Sequence, residues 1–478
     1  MTVAIVWFRQ DLRLGDQPAL ARALSASQKL VPIYINDTAA DNPWAMGSAS
    51  RWWLHQSLKA LDDALQDLGS RLIIRQGRPL EVLREVMAES GATQIFWNRL
   101  YTPYEMARDR VIKATLSAEG FEVQTFNSAL LYEPWEIGRP QGGAYKVFTP
   151  FWKAVMAKGL HHFTEPAPDH LPKVPSSIAT EPLSSLQLLP KIAWDQGFYP
   201  RWQVGEKAAM GRLTTFIEEA INGYQEGRNI PSIEGTSKLS PNLHFGEISP
   251  RQIIEVLSQG QLSLHQGPLC FQREVGWREF GMHLLYHFPE TSDQPLDQRF
   301  NTFPWHEEDE GRHLKAWQQG QTGFPIVDAG MRELWHTGWM HNRVRMIVAS
   351  LLCKNLLMDW RQGAHWFWDT LVDADLASNS LGWQWTAGCG ADAAPYFRIF
   401  NPILQGEKFD PEGRYVRAWC PELKRLPDRF IHKPFEAPAA VLEEAGVFLG
   451  KDYPRPVVDL KESREAALGA FATIKHFI

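Results

Sequence analysis

The chain has 478 residues, 44% of them hydrophobic and 22% charged, which is enough apolar material for two or three folded domains and too much for a disordered chain. Its net charge of −6 excludes a protein coated in basic residues, so any contact with nucleic acid has to come from a local patch. Tryptophan is the compositional outlier at 20 residues, which reads either as stacking surfaces and redox relays or as thick helical cores.

Val3–Phe8, Leu30–Ile35, Arg71–Arg75, Gln94–Trp97 and Glu122–Phe126 read as short strands, with amphipathic helical stretches between them at Trp52–Leu68, Leu80–Met87 and Tyr104–Leu116. This alternation predicts an α/β domain with a parallel, doubly wound sheet, whose ligands bind beyond the carboxyl ends of the strands. The first strand leads into Arg9-Gln10-Asp11-Leu12-Arg13 and not into G-x-G-x-x-G, so no dinucleotide pyrophosphate is expected there. From Phe163 to Pro190 six prolines fall among Ser, Thr and Glu, which forbids regular helix and marks a linker. Beyond Gly205 the spacing is helical almost throughout, at Ala208–Tyr224, Pro250–Ser258, Phe271–His287, Ile326–Trp335, Arg343–Met358 and Trp366–Val372. The expected organisation is an α/β domain over 1–130, a linker over 131–204 and a larger all-α domain over 205–478. The N-terminus lacks a basic, apolar leader, and no apolar run approaches the ~18 residues of a membrane span. Cys270, Cys353, Cys389 and Cys420 are scattered without a C-x-x-C pair. A cytoplasmic protein with buried thiols, no bound metal and no membrane contact is expected.

Several segments carry chemistry. Gly235–Pro241 offers hydroxyls and backbone N–H groups at a helix start, either an anion site or an ordinary capped turn. Glu274 and Trp277 stand three apart on one helix face, where they can bond a base edge and stack on the base, or form a part-exposed Glu beside a core Trp. Arg343 and Arg345 point about 200° apart around a helix, so one can face a ligand while the other faces solvent or DNA. A solvated helix start is the plainer reading. Asp373 and Asp375 lie in a mostly apolar stretch and need cationic partners or donors. Downstream, Trp383 and Trp385 fall on nearly opposite faces of the same helix. Between Arg398 and Lys433 eight basic residues stand against five acidic ones, either a phosphate track or a solvated face.

Together and in this order, these motifs resemble the photolyase/cryptochrome family. The resemblance runs through Val6–Arg13, Gly235–Ser240, Trp277-Arg278-Glu279-Phe280, Thr322–Ala329, Gly338–Arg345, Asp373–Trp385 and Asp392–Pro402, nearly the whole chain. It is closest to microbial photolyases that repair cyclobutane pyrimidine dimers. Trp277–Phe280 and His283–Pro289 resemble the class III branch, with a class I-like enzyme as the alternative. The resemblance implies FAD, fully reduced in the active form, held by Tyr224, Thr236, Ser237, Lys238, Leu239, Ser240, Arg278, Arg345, Asp373, Ala374 and Asp375, with Asn379 beside flavin N5. It implies a lesion cavity lined by Glu274, Trp277, Asn342 and Trp385, with Glu274, Asn342 and Asn379 as catalytic residues. Arg228, Arg343 and Arg398 would hold DNA phosphates, and Trp305, Trp360 and Trp383 would relay electrons. An amide at Asn379 favours repair over signalling, and Asn342 after His341 argues against (6–4) repair. Tyr104-Glu105 resembles a folate-binding corner. Glu105 therefore implies a methenyltetrahydrofolate antenna, with a deazaflavin as the alternative and a carboxylate favoured by the helix dipole as the structural reading. The implied activity is light-driven electron transfer from reduced FAD to the flipped-out dimer in UV-damaged DNA, a carbon–carbon lyase reaction. A monomer with no obligate protein partner is expected. The alternative is a cryptochrome-type blue-light photoreceptor acting through a signalling partner.

Overall fold

A computed structural model of the chain describes residues 2–160, 163–259, 262, 265–306 and 311–475. It divides into two compact units: Met1–Ala193 with Trp202–Glu219 and Ser237–Pro289, and Trp194–Arg201 with Ala220–Thr236 and Glu290–Ile478.

The first unit is built on five strands, β1 (Val3–Phe8), β2 (Lys29–Asp37), β3 (Ile73–Gly77), β4 (Gln94–Asn98) and β5 (Glu122–Phe126), all parallel in the order β3-β2-β1-β4-β5. Every residue of β1 is buried, as a central parallel strand requires. The helices α1 (Pro18–Ala26), α2 (Ser48–Asp67), α3 (Pro79–Ser90) and α4 (Pro103–Ala118) connect the strands. Both α3 and α4 start on a proline, whose missing N–H is one the helix would leave unpaired anyway. Neither α1 nor α5 (Phe148–Lys158) is among the expected helices. Pro150 is the third residue of α5, still in the turn whose N–H groups have no intrahelical partner, so it does not stop the helix. The unit closes with the helices Glu206–Glu219, Pro250–Ser258 and Gln266–His287, the second opened by a reciprocal capping box between Ser249 and Gln252.

The strand order reverses between β1 and β4, the place where open sheets of this kind bind ligands. Here that place is filled by the chain itself. Asp11 accepts from the Arg9 backbone N–H at 2.6 Å, Asn98 Nδ2 at 2.7 Å and Gln17 Nε2 at 2.8 Å. Arg13 is 1% exposed and donates to the carbonyls of Gly15, Asp16, Ser128 and Gly246 at 2.7–3.0 Å. The Arg9–Arg13 motif is thus a clasp between loops, with a guanidinium whose pKa burial pushes down.

The second unit is helical: Tyr224–Gly227, Arg312–Gln318, Pro325–Thr337, Asn342–Ser350, Trp360–Thr370, Leu376–Ala387, Pro402–Phe409, Arg414–Trp419, Ala439–Ala445 and Leu460–Ile474. Trp317, Val348, Leu352, Trp360, Phe367 and Trp383 belong to its core. Several elements differ from expectation: Arg312–Gln318, Pro402–Phe409, Arg414–Trp419, Ala439–Ala445 and Leu460–Ile474 are not among the expected helices, and the one expected over Trp366–Val372 begins at Trp360 and ends at Thr370. The single helix expected over Ala208–Tyr224 breaks at Ala220 (φ −126°), and a 3₁₀ turn over Ile221–Gly223 follows. The helix expected over Arg343–Met358 is α-helical only to Ser350 and then widens into a π turn over Leu351–Asn355. That extra width turns Lys354 inward. Its ammonium lies 3.5 Å from the Tyr396 ring centroid and donates to the Tyr396 carbonyl at 3.1 Å, and burial pushes its pKa down to about 7.

Cys353, Cys389 and Cys420 are buried, whereas Cys270 is part-exposed, and none of the four is disulfide-bonded. Among the described residues no helix is long and apolar enough to cross a membrane, and no cluster of three His, Cys, Asp or Glu could hold a metal ion.

Candidate flavin and DNA site

In the second unit a polar group forms around Asp373. Arg345 Nη2 donates to both Asp373 oxygens, at 2.8 and 3.1 Å, while Arg345 Nε donates to the Met340 carbonyl at 2.8 Å. The Asp373 side chain is 3% exposed and that of Arg345 is 23% exposed, so a covered carboxylate holds a cation that still shows an edge. Asp375 caps the helix Leu376–Ala387 by accepting from the Ser378 N–H at 2.8 Å. One turn later Asn379 Nδ2 donates to the Ala364 carbonyl at 3.0 Å, which fixes the amide orientation and leaves Oδ1 as the acceptor it offers. A guanidinium, the carboxylate that orients it and a fixed amide fit the polar edge of an isoalloxazine, whose reduced form is anionic. Ala374 is buried between the two carboxylates.

Tyr224 is buried, with the Arg228 guanidinium over its ring. Gly235 passes so close to that turn that a Cβ on it would lie 2.5 Å from the Gly227 oxygen, and this brings Thr236 alongside. The remaining proposed phosphate-binding residues, Ser237–Ser240, and Arg278 belong to the first unit. Leu239 is buried, Ser240 is exposed, and Lys238 has φ +50°, a left-handed conformation costing about 1–2 kcal/mol that concentrates at functional turns. Arg278 Nη1 donates to the Ala129 carbonyl at 2.7 Å and lies 3.6 Å from Glu279. Glu279 is buried and accepts from the Leu131 N–H, and burial pushes its pKa up to about 7.

Of the residues proposed to contact DNA, Glu274 and Trp277 are half-buried on the Gln266–His287 helix, and the Trp277 indole lies face to face with Phe148. In the second unit Asn342 is the exposed first residue of its helix, and Trp385 is half-buried. Arg343 lies over the Phe409 ring and donates to Asn229 Oδ1 at 2.5 Å. Burial and the nearby Arg228 push its pKa down, so the two guanidiniums form a positive pair that an anion would relieve. Arg398 is exposed.

Trp360 and Trp383 share the buried core, and Trp305 packs on its outside, 4.4 Å from the Phe303 ring. Trp383 touches Phe367 and Trp317 edge-on, with centroids 5.0 and 6.1 Å away. At the start of α4, Glu105 accepts from the Thr102 hydroxyl in its own first turn, while Tyr104 and Arg108 reach Asp37 at the end of β2. Phe148, Trp152, Trp317 and Gly363 were not among the expected site residues. The one local signal was Phe148 and Trp152 at helical i,i+4 spacing.

Residues 4–172 match the family model described as DNA photolyase, and residues 271–473 match the FAD binding domain of DNA photolyase. The deoxyribodipyrimidine photo-lyase of Agrobacterium fabrum is 48% identical over 98% of either chain. Cryptochrome-1 of Arabidopsis thaliana is 39% identical over 96% of this chain and 69% of its own. The crystal structure of a bacterial class III photolyase from Agrobacterium tumefaciens superposes with a TM-score of 0.95 at 47% identity, covering 99% of this chain and 98% of that one. An α/β unit with parallel strands and a helical FAD-binding part define a flavoprotein of the photolyase type. The chain belongs to the photolyase/cryptochrome family.

Proposed function

We propose that the protein is a photolyase of the class III type, a carbon–carbon lyase that uses light to split cyclobutane pyrimidine dimers in UV-damaged DNA. The observation that carries this reading is 48% identity over 98% of either chain with a deoxyribodipyrimidine photo-lyase, and the fixed amide at Asn379 supports it. Bound FAD in its reduced form supplies the electron that light promotes. The chain's own residues do the rest. Arg345, oriented by Asp373, stabilises negative charge on the flavin, and Asn379 offers an oriented amide oxygen. Tyr224, Thr236–Ser240 and Arg278 hold the remainder of the cofactor.

Glu274, Trp277, Asn342 and Trp385 take the extruded dimer. A lesion stacks poorly in the duplex and is cheaper to flip than an intact pair, and indole faces replace part of the lost stacking at about 1–3 kcal/mol per base. Arg228, Arg343 and Arg398 hold phosphates. Trp383, Trp360 and Trp305 pass electrons to oxidised flavin, which the packing of Trp305 against the core that holds Trp360 and Trp383 supports. The antenna is methenyltetrahydrofolate at Glu105, with a deazaflavin as the alternative. The protein works as a cytoplasmic monomer without an obligate protein partner. In the direct test, FAD-loaded protein is incubated under blue light and reductant with an oligonucleotide carrying a thymine dimer. Recovery of intact thymines is expected. Light-driven flavin reduction without repair would refute the reading in favour of a photoreceptor.

A further inference from the structure

We propose that Phe148 is a positioning residue for dimer recognition, holding the Trp277 indole so that one face alone is open to a base. This rests on the reading of Trp277 as the side chain that stacks on the lesion. Phe148 is 1% exposed, so it acts through Trp277 and does not meet DNA itself. Its ring centroid lies 4.0 Å from that of Trp277, with the planes 8° apart, a full face contact. An indole has two faces, and with one covered by Phe148 a base can stack only on the other.

The stack is itself locked. Trp152, one turn further along α5, lies nearly parallel to Phe148, with centroids 6.3 Å apart and planes 9° apart. It rests on the α-carbon of Gly276, where a Cβ would come within 2.6 Å of Trp152 Cε3 and 2.7 Å of Cζ3. Phe280 meets Phe148 and Trp277 edge-on, both at 5.8 Å. Three devices therefore fix the plane of Trp277: the i,i+4 spacing on α5, the absent side chain at Gly276 and the edge contact from Phe280. The second torsion of an unsupported indole is broad, and freezing it at the moment of binding would cost affinity. A platform ordered in advance favours an extruded dimer selectively, because undamaged duplex keeps its bases stacked and never reaches the indole.

The test measures dissociation constants of FAD-loaded protein for a dimer-containing oligonucleotide and its undamaged twin, with light-driven repair at low and at saturating DNA. Phe148→Met keeps the bulk and removes the ring face. It is expected to weaken dimer binding about fivefold, the size of one aromatic contact, while binding of the undamaged twin holds. Repair should fall more at low DNA than at saturation, a split that general loosening of the fold does not produce. Trp277→Leu, measured alongside, separates two failures. If Trp277→Leu loses dimer preference and Phe148→Met keeps it, the positioning role is overturned and the reading of Trp277 stands. If both keep it, the reading of Trp277 falls and takes the proposal with it. Should Phe148→Met fail to hold FAD, Gly276→Ala, which displaces Trp152 from the opposite helix, must give the same dimer-selective loss with FAD bound, and its absence overturns the proposal.

Discussion

Alanine placed at two helical glycines is expected to shift stability in opposite directions, and the sign at Gly363 reports where Trp383 sits. Glycine inside a helix costs about 1 kcal/mol relative to alanine. At Gly469, in Leu460–Ile474, an added Cβ meets nothing within 4 Å, so Gly469→Ala is expected to stabilise by about 0.5–1 kcal/mol. At Gly363, in Trp360–Thr370, the same methyl group would lie 2.0 Å from Trp383 Cη2, 2.4 Å from Cζ3 and 2.6 Å from Cζ2. Carbon atoms pack at about 3.5–4 Å, so the indole has to retreat by roughly 1.5 Å. Phe367 and Trp317 stand in the way, and the Trp317 N–H is tied to the Val348 carbonyl at 3.0 Å. Overpacking costs about 1–3 kcal/mol, and a displacement of this size belongs at the upper end. After the helix-propensity gain, Gly363→Ala should lose about 2 kcal/mol. Urea midpoints of the FAD-loaded protein measure both signs, and blue-light reduction of the oxidised flavin should slow in Gly363→Ala alone. Equal or greater stability of Gly363→Ala would refute the packing of Trp383. Lost stability with an unchanged rate of photoreduction would refute its place in the electron relay.

Replacing Arg345 takes a bidentate cation away from a covered carboxylate. Arg345→Leu should therefore lose about 2–3 kcal/mol, less than a fully buried pair because Arg345 is part-exposed, and should release FAD on gel filtration. Retention of FAD would show that the pair is structural only. Glu247 is fully buried, and burial pushes its pKa up to about 7 against hydrogen bonds from Asn242 and Trp53. A carboxyl raised on folding gives stability that is complete below about pH 4.5 and lost as the pH climbs to about 7, here roughly 3 kcal/mol. Glu247→Gln should flatten the decline of the urea midpoint between pH 5 and pH 8, and an unchanged slope would refute the assignment.

The five strands were legible because each is a short run carrying β-branched or aromatic residues between helical stretches, most plainly in β1, where every residue is buried. Helix α5 was not, since Gly142, Gly143 and Pro150 read locally as loop, while what makes it a helix is Phe148, Phe151 and Trp152 packing against residues far along the chain. The π turn at Leu351–Asn355 is equally silent, because what accompanies it is the placement of Lys354 against Tyr396 and of Asn355 against Ser463, both distant in sequence. At the site, Asp373 and Asp375 announced a need for partners without naming them. Helix spacing offered Arg345 beside Arg343 as a side chain able to face a ligand, the family resemblance put it with the flavin, and its ion pair with Asp373 is a fact of the fold. The converse case is Arg9–Arg13. That run carries part of the family resemblance, yet its Arg13 side chain holds loops together and has no role in the proposed function.

How the second unit positions its side chains follows from three helix starts. His341 Nδ1 accepts from the Arg343 N–H, Asp359 from the Arg361 N–H and Asp375 from the Ser378 N–H. Each cap is worth about 0.5–2 kcal/mol and sets the entry of the chain, so the first turn of a capped helix is among its best-fixed parts. The first residue after His341 is Asn342, and the first after Asp359 is Trp360. Asn379 follows Asp375 by one turn, with Trp383 a turn beyond. A cofactor that performs its own electron chemistry needs no nucleophile from the protein, only neighbours held at constant distance. In the proposed function, capped helix starts joined to a core of packed indoles would provide that constancy with few polar side chains.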